Sequence, residues 1–242
     1  MKKMFALLLG FGLMFLTTGC FDIVEEIFLN KNGSGKYLVT MDMSAMFSDP
    51  FMKSMMEESL KEEAGATDLV MEKDTTIFFR DVPEAADLSA PERQLIQNAL
   101  MKLTMSEEKG QMLIRMELPF DKIEDINKIG QIMDKIGASQ QMGGLGSGMM
   151  TGSTALFAMK KNTLTRLPAP KAAPSEDEDE SMEMMKMFLG EAKYTTIYHL
   201  PGKVRKAGIP GAKIEGDKVT VSASLLDMMD GKAKIEGDIR FK

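Results

Sequence analysis

Cys20 and His199 carry the side chains most often recruited for nucleophilic or zinc chemistry, and each is the sole residue of its type in the chain. A zinc site needs three or four such ligands, and a thiolate nucleophile needs a neighbouring base. One of each assembles neither, so His199, between Tyr198 and Leu200 in a β-prone stretch, reads as a structural or surface histidine. The segment Gly33-Ser34-Gly35-Lys36 has the outline of a phosphate loop. However, Asn30 stands where its first glycine is required and Tyr37 where a magnesium-binding hydroxyl belongs, and a strand follows in place of a helix. Gly144-Leu145-Gly146-Ser147-Gly148 does not follow a strand, and no Gly-x-Ser-x-Gly elbow occurs. The acidic run Glu176-Asp177-Glu178-Asp179-Glu180 lacks the glycine and the spaced aspartates of a calcium loop and reads as a solvated charge run. The expectation is a chain with no catalytic residues, no cofactor and no metal, hence not an enzyme. A hydrolase built on carboxylate pairs is the less favoured alternative.

Methionine is the compositional outlier, with 25 copies in 242 residues. Thioethers bind Cu(I), and Met41 with Met43, or Met182, Met184, Met185 and Met187, imitate such clusters. Most methionines nevertheless alternate with Leu and Ile on apolar faces and have no His or Cys beside them, so packing is the favoured reading and copper binding the lesser one. Met101, Met105, Met112 and Met116 share one face of an expected hairpin. That face is soft enough to pack under a helix or to accept a flexible apolar ligand, and it is the candidate apolar surface.

Cys20 has a different use. Lys2 and Lys3 precede an uncharged apolar run from Met4 to Leu16, the order of an export signal, and the run is shorter than the roughly 20 residues a bilayer core demands. It ends Leu16-Thr17-Thr18-Gly19-Cys20, which resembles a bacterial lipobox with Thr17 where Leu is usual. Cleavage after Gly19 would leave Cys20 as the acylated N-terminus, carrying palmitate-type chains. Two or three such chains anchor durably, whereas one binds marginally. An unpaired thiol in an oxidising envelope would be a liability, which also favours acylation. With 30 basic and 36 acidic side chains the net charge is −6, which offers no basic stripe for a nucleic acid. Removing residues 1–19 leaves 28 basic against 36 acidic groups, a charge of −8, of which the acidic run supplies −5.

Elements that position these residues follow from pattern. Two β-prone stretches, 23–30 and 35–43, flank Lys31-Asn32-Gly33-Ser34, a hairpin turn. Asp49-Pro50 opens a helix with Met52, Met55, Met56 and Leu60 on one face. A strand is expected over 75–82, and Ser89 with Glu92 forms a capping box. Strands through Met101–Met105 and Met112–Phe120 alternate with period two. Asp121 and Glu124 are expected to cap a helix striped with Ile123, Ile126, Ile129, Met133 and Ile136. A third hairpin turns at Lys161-Asn162, a short helix covers 182–189, and strands are expected over 194–200, 218–224 and 233–241. The hexapeptide Ala-Lys-Ile-Glu-Gly-Asp, at 212 and again at 233, reads as coincidence or a minor duplication. The fold class is α+β, an antiparallel or mixed sheet built of hairpins with helices packed on one face. The organisation is a signal peptide over 1–19, an α+β domain over 20–167 with a Gly/Met loop at 139–153, and a Pro/acidic linker over 168–181. Residues 182–242 then complete the same domain or a small second one.

The lipobox, the stretch from Glu26 through the Asn32-Gly33 turn to Tyr37, and the C-terminal run from Tyr198-His199-Leu200-Pro201-Gly202 to Val219-Thr220-Val221 together resemble envelope lipoproteins of Bacteroidota and, more faintly, the LppM-type lipoprotein domain. Asp74-Thr75-Thr76 is similar to a Bacteroidota O-glycosylation acceptor. The resemblance implies a lipid-anchored protein of the cell envelope, the outer membrane foremost, and carries over no catalytic motif. The functional expectation is a non-enzymatic binding module for an apolar ligand or an envelope protein partner. A structural or assembly role in the envelope is the alternative.

Overall fold

The computed structural model describes residues 21–45, 50, 54, 72–136, 155–168 and 190–242. The signal segment with Gly19 and Cys20, most of the helix expected at 49–60, the 139–153 loop, the acidic run and the 182–189 helix lie outside the described residues. The strands are β1 (Asp22–Leu29), β2 (Gly35–Asp42), β3 (Glu72–Phe78), β4 (Leu100–Ser106), β5 (Gln111–Phe120), β6 (Leu156–Lys160), β7 (Thr163–Leu167), β8 (Lys193–His199), β9 (Val204–Ala207), β10 (Lys213–Glu215), β11 (Lys218–Ser224) and β12 (Gly237–Phe241). The helices are α1 (Ala90–Ile96), α2 (Ile126–Lys135) and α3 (Leu225–Met229). Among the described residues no helix is long and apolar enough to cross a membrane.

The fold is α+β, with two open sheets. The larger has eight strands in the order β10-β11-β8-β1-β2-β5-β4-β3, and the smaller has four in the order β6-β7-β12-β9. All pairs are antiparallel except β1 with β8, which run parallel. Strand alternation places Ile23, Ile27 and Leu29 of β1, Tyr37, Val39 and Met41 of β2, and Tyr194 and Tyr198 of β8 on one buried face. Against it lie Phe157, Leu164, Ile239 and Phe241 of the smaller sheet and the isoleucine stripe of α2, all in one hydrophobic cluster. The hairpin β6–β7 therefore belongs to a second sheet that shares the covering layer with the helices, where the sequence pattern suggested helices alone.

Helix α2 also solves an edge problem. The exposed edge of β6 would present unpaired backbone groups. The amide of Asn127 takes both groups of Phe157, its Nδ2 donating to the carbonyl at 2.8 Å and its Oδ1 accepting the N–H at 2.7 Å, and Glu124 Oε1 accepts the N–H of Met159 at 2.7 Å. This accounts for a shift in the expected cap. With Glu124 engaged by β6, it is Asp125 Oδ2 that accepts the N–H of Lys122, one residue later than the Asp121–Glu124 pairing. The other cap forms as read: Glu92 accepts both the N–H and the hydroxyl of Ser89. The same carboxylate pairs with Lys135 of α2, and that hydrogen bond, ahead of those from Ser89, lowers its pKa to about 2.

Several boundaries differ from the pattern. The third strand ends at Phe78, and two short 3₁₀ turns, Phe79–Asp81 and Pro83–Asp87, carry the chain to α1. The last strand covers only Gly237–Phe241, because Gly237 sits at φ 147 and Ala233–Glu236 precede the sheet as coil. The two hexapeptides thus adopt different structures, since Lys213–Glu215 is a strand and its copy Lys234–Glu236 is not. The phosphate-loop lookalike is a hairpin turn with Gly33 at φ 88. Its second glycine answers to packing, because a Cβ on Gly35 would lie 1.9 Å from the carbonyl oxygen of Phe28 and 2.5 Å from the Phe120 ring. Gly35→Ala is expected to lower stability by about 1–3 kcal/mol or more, as overpacked sites do, whereas Gly33→Asn, which meets open space and incurs only the left-handed backbone cost, should lose about 1 kcal/mol. Urea unfolding of the two variants checks the contrast.

Candidate functional site

A charge in the middle of the buried face of β1 is the most unusual chemical feature among the described residues. Glu25 stands in phase with Ile23, Ile27 and Leu29 and is 0% exposed. Its partner comes from the other sheet: Arg166 of β7, 5% exposed, reaches across the interlayer space to Glu25 Oε2. Thr196, directly opposite Glu25 on β8, donates its hydroxyl to the same oxygen at 2.7 Å, and Tyr37 donates to Oε1 at 2.6 Å. Arg166 donates further to the hydroxyls of Thr196 at 3.1 Å, Tyr194 at 3.2 Å and Tyr198 at 3.5 Å. All three tyrosines of the chain are therefore spent on one cluster. The guanidinium also lies over aromatic rings, 5.6 Å from Phe157 and 5.8 Å from Tyr194, and Phe157 meets Tyr37 edge to face.

Electrostatics follow from this geometry. Burial pushes the Glu25 carboxyl up, but the Arg166 charge together with donors from Tyr37, Arg166 and Thr196 outweighs it and holds the group below the usual carboxylate value. Burial, reinforced by the Glu25 charge, drives Tyr37 and Tyr194 well above the ordinary phenol, and burial pushes Tyr198 up to about 12. A carboxylate that is saturated with donors and less basic than usual is a poor proton acceptor, and phenols this weakly acidic are poor proton donors. What the arrangement does well is lock two sheets together, since each charge would be stranded if the layers slid.

The residues singled out from the sequence fall elsewhere. Met101, Met105 and Met116 are buried on the inner face of the large sheet, and Met112 is partly buried against the same core. Cross-strand registers pair Met101 with Met116 and Met105 with Met112, so the four do share one face, but it is a covered face rather than an open surface. Met41 and Met43 are buried as well. His199 is half-buried on the outer face, stacked on Phe28 at 4.1 Å between ring centroids and 3.2 Å from Glu26 through Nε2. Among the described residues no three His, Cys, Asp or Glu side chains are grouped to hold a metal. Asp74 lies exposed on β3 beside Lys102. The ionic cluster itself was missed, although the signal exists: Glu25 and Arg166 both stand where their strands' alternation demands an apolar residue.

No family model matches the chain and no curated protein matches it. Among solved structures, the NMR structure of the folded domain of LppM from Mycobacterium tuberculosis is similar to it, with 8% identity and a TM-score of 0.43, covering 95% of this chain and 94% of that one. The likeness is a weak one of overall shape, and neither the sequence comparisons nor this one supports a kinship with Bacteroidota.

Loss of one partner in the buried pair strands the other. Glu25→Gln or Arg166→Met alone is expected to cost about 3–5 kcal/mol, while the double replacement Glu25→Leu with Arg166→Met recovers most of that loss. Urea unfolding of the set measures the coupling. Because the folded Glu25 carboxyl lies below its unfolded value of 4.5, its contribution is full above that pH and drains away as pH falls through the lowered value. The raised phenols act in the opposite sense, contributing below their ordinary value of 10.0 and losing that contribution as pH rises. Stability against pH, read by denaturation midpoints, should show both declines, the acid one flattened in Glu25→Gln.

Proposed function

We propose that the chain is a lipid-anchored protein of the cell envelope that acts as a non-enzymatic binding module for an apolar ligand or an envelope protein. The observation that carries this reading is the junction at Cys20. The lipobox-like Leu16-Thr17-Thr18-Gly19-Cys20 stops one residue short of a buried side chain, Phe21, and two short of the central strand β1. A cleavage after Gly19 would remove the export signal without touching the fold, and acyl chains on Cys20 would attach directly to a rigid body.

The binding half of the proposal draws on the disposition of the polar groups. The buried ionisable side chains Glu25, Arg166, Tyr37 and Tyr194 face one another between the sheets, so the core chemistry of the molecule is cohesive. Binding then falls to surfaces and to the soft methionine layer of β4 and β5. Thioether side chains repack at low cost, which lets a covered layer admit an apolar guest.

Cys20→Ser is expected to abolish incorporation of labelled palmitate and to shift the protein from the membrane to the aqueous fraction. Persistence of the label, or an intact mass matching the uncleaved chain, would overturn the anchor. Mass spectrometry of the protein purified in native form separates the two occupants: a copurified lipid marks the apolar ligand, crosslinked envelope proteins mark the partner, and neither would refute the binding reading.

A further inference from the structure

A tether matters more when it is short. Phe21 is buried, its carbonyl accepts the N–H of Lys193 at 3.2 Å, and Asp22 is already paired with Asp42 on one side and Lys193 on the other. Cys20 is therefore one peptide unit, about 3.8 Å between Cα atoms, from a residue locked into the sheet. Any lipid on it is attached with almost no slack.

Strand registers define which parts of the molecule share that end. Asp22 is level with Asp42 and through it with Leu113 of β5, and on the other side with Lys193 and Ser224. The β4–β5 turn, residues 107–110, projects about three residues beyond this level, roughly 10 Å at strand spacing. Helix α3 follows directly from Ser224 at the same end. The β1–β2 turn, residues 30–34, lies at the opposite end, about 26 Å away along the eight residues of β1.

Resting on the acylation of Cys20 put forward above, we propose that this end of the large sheet is a membrane-contacting face. Its strands stand upright on the bilayer, the 107–110 turn lies in the headgroup layer and the 30–34 turn points away. Among the described residues the exposed charges at this end are mostly acidic, with Asp42, Glu72, Glu107, Glu108, Glu191, Asp227 and Asp230 against Lys109, Lys193 and Lys232, so it lacks the polybasic character that draws proteins to anionic lipid. The tether sets the contact, and the face itself gains nothing from anionic lipid.

Because the chain has no tryptophan, a single introduced Trp is an unambiguous reporter. The full-length acylated protein, as Lys109→Trp, Lys232→Trp or Lys31→Trp, is reconstituted into phosphatidylcholine vesicles containing lipid spin-labelled at the headgroup. Emission from positions 109 and 232 should be mostly lost, emission from position 31 should be retained, and added phosphatidylglycerol should not increase the quenching at any of the three. Equal quenching at both ends, or stronger quenching at position 31, overturns the orientation. Vesicles that float with the protein but quench none of the three reporters overturn it too, leaving the anchor intact. Protein that carries no acyl mass and does not float removes the anchor and this inference together. Cys20→Ser combined with Lys109→Trp should show no quenching, and quenching there would also overturn the role of the tether.

Discussion

The pairing of Glu25 with Arg166 constrains everything around it. A carboxylate sealed between two sheets is tolerable only when its oxygens are saturated, and Tyr37, Thr196 and Arg166 arrive from three different strands to do so. A shift of β1 by one residue would turn Glu25 to the outer face and bring Val24 or Glu26 inward, leaving Arg166 without a counter-charge. The cluster thus discriminates among registers that apolar packing alone would rank closely. Buried ion pairs are weak contributors to net stability beside an apolar core of the same volume, so their value here is in fixing one arrangement of two layers.

Much of the architecture was legible in the sequence, for reasons that differ by element. The β4–β5 hairpin was read correctly because its methionines and isoleucines alternate against Lys102, Arg115 and Glu117, and a period of two over that length has few other solutions. The Ser89–Glu92 cap and the Lys161-Asn162 turn were equally local, and the turn is made by Lys161 at φ 52. Strands β9 and β10 were not visible, being four and three residues long with mostly exposed side chains, and they exist because neighbours supply their pairing. The ionic cluster eluded the same reading for a related reason. A Glu on an apolar phase looks like noise until a partner 141 residues away is brought opposite it.

Polar residues on α2 make a similar point about context. Asn127 on the helix, and Glu124 in the 3₁₀ turn Ile123–Asp125 that leads into it, would pass for solvent-facing positions, yet they close the open side of β6. The helix and its leading turn therefore contribute an isoleucine stripe to the core and a set of surrogate backbone partners to the sheet. Its cap moves by one residue as a consequence. Small adjustments of this kind mark the boundary between what short-range pattern dictates and what assembly decides.

The parallel pairing of β1 with β8 also sets a timetable. β1 is the first strand to leave the ribosome, and the strand that flanks it on one side comes some 170 residues later, with Arg166 only shortly before it. Until then the middle of the large sheet has a bare edge and Glu25 has no counter-charge, so the nascent chain cannot close its core domain-half by domain-half. Pairings this distant make folding slow and leave sticky intermediates exposed. For a polypeptide with this topology the core can close only once its last third has been synthesised.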